Sequence, residues 1–323
     1  MTTFTDRPLR RAAVFGAAVT LAAGVAACGS SKSSAQSPSS GSAGGGSAAL
    51  PGQGKPPITI GDKNFSEEFV LGDLYAQALQ AKGYTVNLKA NIGSSQVIDK
   101  ALTSGQIQMY PEYTGVIYTE LAHLGDHPAS AQVTYQGAAK WEASRGFTML
   151  KPTPFQDADG MAVLNGFAQA HHLKTIADLA SLPSFTYGGP PENATRYQGV
   201  LGLEQAYGLH NFKFVPLTIG TQYQAIDQHK VDSIAIFTTD GELASGNYTV
   251  LKDTKGIFGY QQEAPVVSTK LLSEEGPQFA QILNAVSAKL TFPAIESMNK
   301  ATQIDHQDPA TVARQFLKAN GLA

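Results

Sequence analysis

Residues 58–90 read ITIGDKNFSEEFVLGDLYAQALQAKGYTVNLKA and contain both kinds of element from which the fold is built. Ile58–Gly61 predicts a short buried strand that ends at a glycine. Asn64, with Glu67 three residues later, predicts the capped start of a helix, and Thr85–Ala90 predicts a second strand. A strand, a helix and a strand in this order favour parallel strands joined by a right-handed crossover.

The same alternation continues along the chain and restarts near its middle. Further strands are predicted at Ile107–Tyr110, Met161–Leu164, Phe185–Gly188, Phe212–Pro216, Ser233–Phe237 and Pro265–Ser268. Helices are predicted from Gly93 to Gly105, at Ile176–Leu179 with Thr175 as its N-terminal cap, from Tyr197 to Tyr207, from Tyr223 to His229, and at Pro277–Leu290, Ala294–Ala301 and Pro309–Ala319. The pattern is typical of two α/β units.

The last predicted strand follows the second unit and returns the chain to the first. This order predicts an α/β fold with two lobes around a cleft, in which a ligand binds between the lobes at strand and helix ends. We assign residues 58–155 plus 261–323 to lobe 1 and residues 156–260 to lobe 2. From residue 58 onward the chain has about 265 residues, which is long for a single core.

The N-terminus has the pattern of an export signal. Arg7, Arg10 and Arg11 precede the apolar run Ala12–Ala27, which is too short to span a bilayer stably. Cys28 follows small residues and is the single cysteine of the chain. The pattern predicts a signal peptide at residues 1–27 and lipidation of Cys28, which would anchor the protein to the outer face of the cytoplasmic membrane. The alternative is an ordinary signal peptide followed by an incidental cysteine.

Residues 28–57 consist mostly of Ser, Gly, Ala, Pro and Gln, which predicts a flexible linker. The whole chain has 23 Lys and Arg against 26 Asp and Glu, a net charge of −3. Nothing in this balance suggests a nucleic-acid partner, which would call for a basic face. No later apolar run reaches the length of a membrane span, so the lipid would be the only anchor.

Signals for enzymes and for cofactors are weak. The sequence has no Gly-x-Ser-x-Gly elbow, no His-Glu-x-x-His pair and no phosphate-binding loop. His123 and His127 have the spacing of a metal pair, but Gly125 and Pro128 disfavour a helix there. We therefore predict no catalytic residues, no metal site and no cofactor.

Several blocks, taken in order, resemble the substrate-binding proteins of osmoprotectant ABC transporters. They are Ile60–Glu68, Gly93-Ser94-Ser95, Tyr110–Gly115, Pro190-Pro191-Glu192 with Arg196, Phe237–Gly241, and Gly259-Tyr260 before Ala264–Val267. The resemblance extends over the chain from Ile58 onward. It implies the type II periplasmic-binding-protein fold and a receptor for glycine betaine, carnitine or choline that delivers its ligand to membrane permease subunits, acting as a monomer.

In that family tyrosines form a cage around the quaternary ammonium group, and a lysine and an arginine hold the carboxylate of the ligand. Carried over by position, the cationic pair falls on Lys63 and Arg196. The cage positions fall on Tyr113, Asp159, Phe237 and Tyr260. Phe237 keeps a π-face, whereas Asp159 replaces one with a carboxylate.

Each of these residues also has a structural interpretation. Tyr113 and Tyr260 could be packing between the lobes, Lys63 could be a solvated charge, and Asp159 could belong to a turn. Two other functions stay open. One is the same receptor role with a hydroxylated aromatic ligand, which Asp159 would suit. The other is a cell-surface enzyme or structural lipoprotein on the same fold. Asp157 and Asp159 facing Glu112 across the cleft would favour the enzyme.

Overall fold

The computed structural model describes residues 49–323. The predicted signal peptide, Cys28 and the linker as far as residue 48 lie outside the described residues. Among residues 49–323, every helix is too short or too polar to cross a membrane.

Helices and strands alternate through the described part of the chain. The strands are β1 (Ile58–Gly61), β2 (Val86–Lys89), β3 (Met109–Tyr113), β4 (Phe147–Met149), β5 (Asp159–Leu164), β6 (Phe185–Gly189), β7 (Phe212–Pro216), β8 (Ser233–Phe237), β9 (Tyr248–Val250) and β10 (Glu263–Ser268). The helices are α1 (Ser66–Gln80), α2 (Ser95–Thr103), α3 (Ala131–Ser144), α4 (Asn165–His171), α5 (Val200–Gln205), α6 (Gln222–Asp227), α7 (Thr269–Glu275), α8 (Pro277–Ser287), α9 (Phe292–Gln303) and α10 (Pro309–Ala319). A π-helix occupies Val116–Leu121, and short 3₁₀ helices occupy Ile176–Ser181, Pro191–Ala194 and Gly241–Ser245.

The strands form two five-stranded sheets, with the orders β2-β1-β3-β10-β4 and β7-β6-β8-β5-β9. In the first sheet β1 pairs in parallel with β2 and β3, and in the second β6 pairs in parallel with β7 and β8. In contrast, β10 is antiparallel to β3 and β4, and β5 is antiparallel to β8 and β9. The prediction of parallel sheets is therefore wrong for β5 and β10. Each of these strands follows a crossing between sheets instead of a helix that returns the chain to the opposite edge.

The chain passes between the two sheets twice, once before β5 and once before β10. These two crossings run side by side. Gln156 pairs with Gln262 in an isolated antiparallel bridge, and the amide of Asp157 donates to the carbonyl of Gln261 at 3.0 Å. Both crossings therefore meet at one place between the sheets.

The helix α1 is buried in the first lobe and fixes the edge of the cleft. It contacts β1, β2 and β3 as well as α8, α9 and α10, and Val70, Leu71, Leu74 and Leu79 are fully buried on it. Burial of each such side chain contributes about 1.5–3 kcal/mol. A second core packs around Tyr187 in the other lobe.

The start of α1 differs from the prediction. Phe65, and not Asn64, precedes the first helical residue, and no side chain caps this end. The Glu67 side chain does not complete a capping box, because it accepts hydrogen bonds from Tyr113, Thr239 and Asn299 instead.

Candidate functional site

The ends of the parallel strands bring the predicted site residues to one pocket between the lobes. Lys63 comes two residues after β1, Tyr113 ends β3, and Phe237 ends β8. Arg196 follows the 3₁₀ helix after β6, and Asp159 begins β5. All five line the same pocket, as expected for a ligand site at the carboxyl ends of parallel strands. Its cavity volume is about 50 Å³.

Tyr260, the sixth predicted site residue, lies elsewhere. It lines an adjoining pocket, together with Asp159 and His127, and does not line the pocket of the other five. The backbone explains this placement. A Cβ added at Gly115 would come within 2.5 Å of the Tyr260 carbonyl oxygen, so the second crossing lies directly on Gly115.

Three aromatic rings stack along one wall of the pocket. The Phe65 ring lies 5.3 Å from the Phe237 ring at 18°, and 6.2 Å from the Tyr113 ring at 27°. Phe65 is not among the predicted site residues, because an aromatic side chain beside a predicted helix start is equally typical of a core position. Its place before the first helical turn, two residues after Lys63, is the signal that could have indicated it.

Lys63 is buried, and carboxylates already surround its ammonium group. It is 3% exposed. Its Nζ forms an ion pair with Glu112 and lies 3.7 Å from Oε1 of Glu68. The same atom lies 4.4 Å from the centroid of the Tyr113 ring. The alternative interpretation of Lys63 as a solvated charge is therefore wrong, and its charge is compensated within lobe 1.

Arg196 spans the cleft. Its Nε lies 3.4 Å from Oε2 of Glu120, and its guanidinium donates to Oε1 of Gln96 at 3.3 Å. Both partners belong to the first lobe. The predicted helix from residue 197 begins at Val200 instead, so Arg196 lies in the turn that connects the preceding 3₁₀ helix to α5.

Two aspartates also line the pocket. Asp157 is buried, and its Oδ1 accepts from the amide of Thr239 at 3.2 Å. Burial raises the pKa of Asp157 well above its usual range, and the nearby Glu67 adds to the effect. Asp159 pairs across the sheet with Phe237. Burial raises the pKa of Asp159 to about 6, although Arg196 lowers it.

Glu67 connects the two lobes through buried hydrogen bonds. It accepts from the Tyr113 hydroxyl at 2.5 Å and from the Thr239 hydroxyl at 2.6 Å. The Asn299 amide also donates to it, at 2.6 Å. Burial raises the pKa of Glu67, which these donors partly offset. The two lobes also lie close together at Gly241, where a Cβ added to the glycine would lie 2.7 Å from Cα of Lys300.

A second group of contacts joins the lobes near the adjoining pocket. Gln198 donates from Nε2 to Oγ1 of Thr119 at 2.7 Å. The Tyr197 hydroxyl and the His127 imidazole share a hydrogen bond, with their rings edge-on at 4.6 Å. His127 therefore interacts with an aromatic residue of the other lobe. Within residues 49–323, the His, Cys, Asp and Glu side chains form no group that could hold a metal ion.

Comparisons with known proteins agree with this geometry. Residues 56–319 match the family model of the substrate-binding domain of ABC-type glycine betaine transport systems. A glycine-betaine-binding protein of Pseudomonas aeruginosa is 29% identical over 82% of this chain and 88% of its own length. The glycine betaine-binding protein YehZ of Escherichia coli is 28% identical over 85% of this chain and 94% of its own length.

Solved structures show the same fold. The crystal structure of a glycine betaine/carnitine/choline ABC transporter protein superposes with a TM-score of 0.68 at 23% identity, over 82% of this chain and 99% of that one. The predicted type II periplasmic-binding-protein fold is thereby confirmed. The family resemblance is confirmed as well: the chain belongs to the family of substrate-binding domains of ABC-type glycine betaine transport systems.

Proposed function

We propose that this chain is the lipid-anchored, extracytoplasmic receptor of an ABC importer and captures a small quaternary-ammonium solute in the pocket between its lobes. Lobe 1 comprises residues 58–155 and 261–323, and lobe 2 comprises residues 156–260. The lobes close over the ligand by a hinge at the two crossings and then dock on the permease subunits as a monomer. Cys28 carries the lipid, and residues 28–57 form the linker.

The stacked aromatic wall is the observation that carries this proposal. Tyr113 and Phe65 come from lobe 1 and Phe237 from lobe 2, so the wall is complete only when both lobes are together. A quaternary ammonium group offers no N–H donor, and aromatic faces attract it through their negative quadrupole. Tyr260 would join the wall after a small change in the second crossing.

The surroundings of the acidic residues favour binding over catalysis. A hydrolase would need an activated nucleophile or a pair of carboxylates in the cleft, and Asp157 or Asp159 facing Glu112 would supply such a pair. Glu112 instead binds Lys63 and accepts from the amide of Tyr113 at 2.8 Å. Members of this family are substrate-binding proteins of transporters, so we assign no covalent step.

Calorimetric titration tests the proposal. Residues 49–323 and the full mature chain are titrated with choline, glycine betaine, carnitine and a hydroxylated aromatic compound such as catechol. We expect saturable binding of at least one quaternary ammonium compound, with thermal stabilisation of about 2.7 kcal/mol at a hundred times its dissociation constant. Binding of catechol alone would show that the ligand is a hydroxylated aromatic compound and not a quaternary ammonium compound. Absence of binding by all four compounds would contradict the assignment.

A further inference from the structure

Both cationic side chains of the pocket already have carboxylate partners in this structure. Lys63 forms its ion pair with Glu112 and has Glu68 as a second neighbour. Arg196 lies against Glu120. A carboxylate on a ligand would compete with these partners for the same two cationic groups. Because Glu112 and Glu68 are fully buried, displacement would leave a buried carboxylate without its counter-ion, which is strongly unfavourable.

Among the described residues, Asp159 and Glu192, which line the pocket together with Asp157, have no cationic partner. Within residues 49–323, no Lys, Arg or His nitrogen lies within 4.0 Å of either carboxylate. A ligand cation placed in the pocket would therefore supply a counter-ion that the described residues do not.

The position of Asp159 places this carboxylate beside the aromatic wall. Asp159 and Phe237 are direct partners in the antiparallel pair of β5 and β8, so their side chains lie on the same face of the sheet, about 5 Å apart at Cβ. Phe237 in turn stacks on Phe65. A quaternary ammonium group against these rings is within reach of the Asp159 charge, and the two attractions act on it together.

We propose that the site selects cations that carry no carboxylate, such as choline-type amino alcohols, over zwitterionic betaines, and that Asp159 is the residue that determines this choice. The inference rests on the proposed function, since it concerns the same pocket. In the family pattern an aromatic residue stands at this position, and a paired lysine and arginine receive the carboxylate of the ligand. Here Asp159 adds a negative charge, and Lys63 and Arg196 already have carboxylate partners. Both differences make the site favour a ligand cation over a ligand carboxylate.

The proposal has a consequence for pH. The titratable and charged groups that face Asp159 are Arg196, Lys63, Glu120 and Tyr187, and Asp157 and Glu192 share its pocket. Burial raises the pKa of Asp159 to about 6, and Glu120 opposes the lowering by Arg196. A bound cation stabilises the ionised carboxylate. Below pH 6 binding must therefore release a proton, and choline affinity falls as the pH decreases.

The test compares choline with glycine betaine by calorimetric titration of the mature protein at pH 7.5. We expect wild-type protein to bind choline more tightly than glycine betaine by about tenfold or more, a modest effect for an ion pair formed in a poorly solvated site. Asp159→Asn should weaken choline binding about tenfold and leave glycine betaine binding unchanged or tighter. Asp159→Tyr, which restores a ring, should shift the preference toward glycine betaine.

Control measurements distinguish failure of this inference from failure of the proposed function. Asp305→Asn removes an exposed carboxylate remote from the pocket and should change neither affinity, and thermal unfolding confirms that each variant is folded. Between pH 7.5 and 5, choline affinity should fall in wild-type protein and stay nearly constant in Asp159→Asn. Glycine betaine bound as tightly as choline, or choline binding unaffected by Asp159→Asn, would overturn this inference alone. Failure of choline, glycine betaine and carnitine to bind would overturn the proposed ligand class together with it.

Discussion

The Thr239 hydroxyl donates a hydrogen bond of 2.6 Å to Oε2 of Glu67, and this bond joins the two lobes at the base of the cleft. Glu67 lies in the first turn of α1, and Thr239 follows β8. The same carboxylate holds the Tyr113 hydroxyl at the pocket wall. One buried side chain therefore links lobe contact to the position of a ring that we assign to the ligand site.

Thr239→Val should destabilise the folded protein by about 1–2 kcal/mol, because it leaves a buried oxygen of Glu67 with one donor fewer. Urea unfolding of the ligand-free protein measures the loss. Thr254→Val is the matched control, since Thr254 is exposed and its replacement should change stability by less than about 0.5 kcal/mol. Equal effects of the two substitutions would contradict a special role for the bond between Thr239 and Glu67.

The sequence predicts elements best where local signals are strong. The strand Phe212–Pro216 and the helix Pro309–Ala319 have the predicted bounds. An alternating pattern that ends in a proline indicates the strand, and Asp308 before Pro309 indicates the start of the helix. The predicted cap at Thr175 is confirmed by its capping box with Asp178. The predicted cap at Asn64 is wrong, since contacts with distant residues determine how Glu67 is used.

The contacts that define the site are mostly not local. Lys63 and Glu112 are 49 residues apart in the chain, and no periodic pattern relates them. The antiparallel direction of β10 depends on the path of the chain through the other lobe, which strand and helix patterns do not encode. The family resemblance nevertheless identified five residues that line one pocket. It did not indicate Phe65, whose ring completes the stack.

Removing a ring from the aromatic wall should weaken ligand binding. For Phe65→Leu and Phe237→Leu we expect a loss of about 1–2 kcal/mol in the binding free energy of a quaternary ammonium ligand, because leucine keeps apolar bulk without a π-face. Phe292→Leu is the control, since Phe292 is 40% exposed on α9. The measurement is calorimetric titration. If affinity is retained and only folding stability decreases, the rings are core residues and not ligand contacts.

Stability should depend on pH through Glu263. This carboxyl is fully buried, and burial raises its pKa from 4.5 to about 8, although a hydrogen bond from Tyr75 lowers it. The folded protein thus favours the protonated form. Its stabilising effect is complete below pH 4.5 and is lost as the pH rises through 8. Glu263→Gln, which stays neutral, should show a smaller decrease in unfolding free energy between pH 5 and 8 than wild type. Identical slopes would refute the assignment.

Membrane attachment should depend on Cys28. Because lipidation requires the thiol, Cys28→Ser should release the protein from the membrane fraction into the soluble or secreted fraction. Fractionation of cells followed by immunoblotting measures the distribution. Ser47→Ala, a change in the same linker, should leave the protein membrane-bound. Membrane association of Cys28→Ser at the wild-type level would contradict lipid anchoring.

Opening of the cleft should respond to the contact between Gln198 and Thr119. Gln198 is buried, and its amide donates across the cleft at 2.7 Å. Gln198→Ala removes this donor and leaves the Thr119 hydroxyl unpaired from that side, which favours separation of the lobes by about 1 kcal/mol. Small-angle scattering of the ligand-free variant should give a larger radius of gyration than wild type, and saturating ligand should reduce the difference.

Gln224→Ala replaces an exposed glutamine of α6 and should leave the radius unchanged. A closed, wild-type radius for Gln198→Ala without ligand would show that the lobes are held together mainly by Glu67 and its donors.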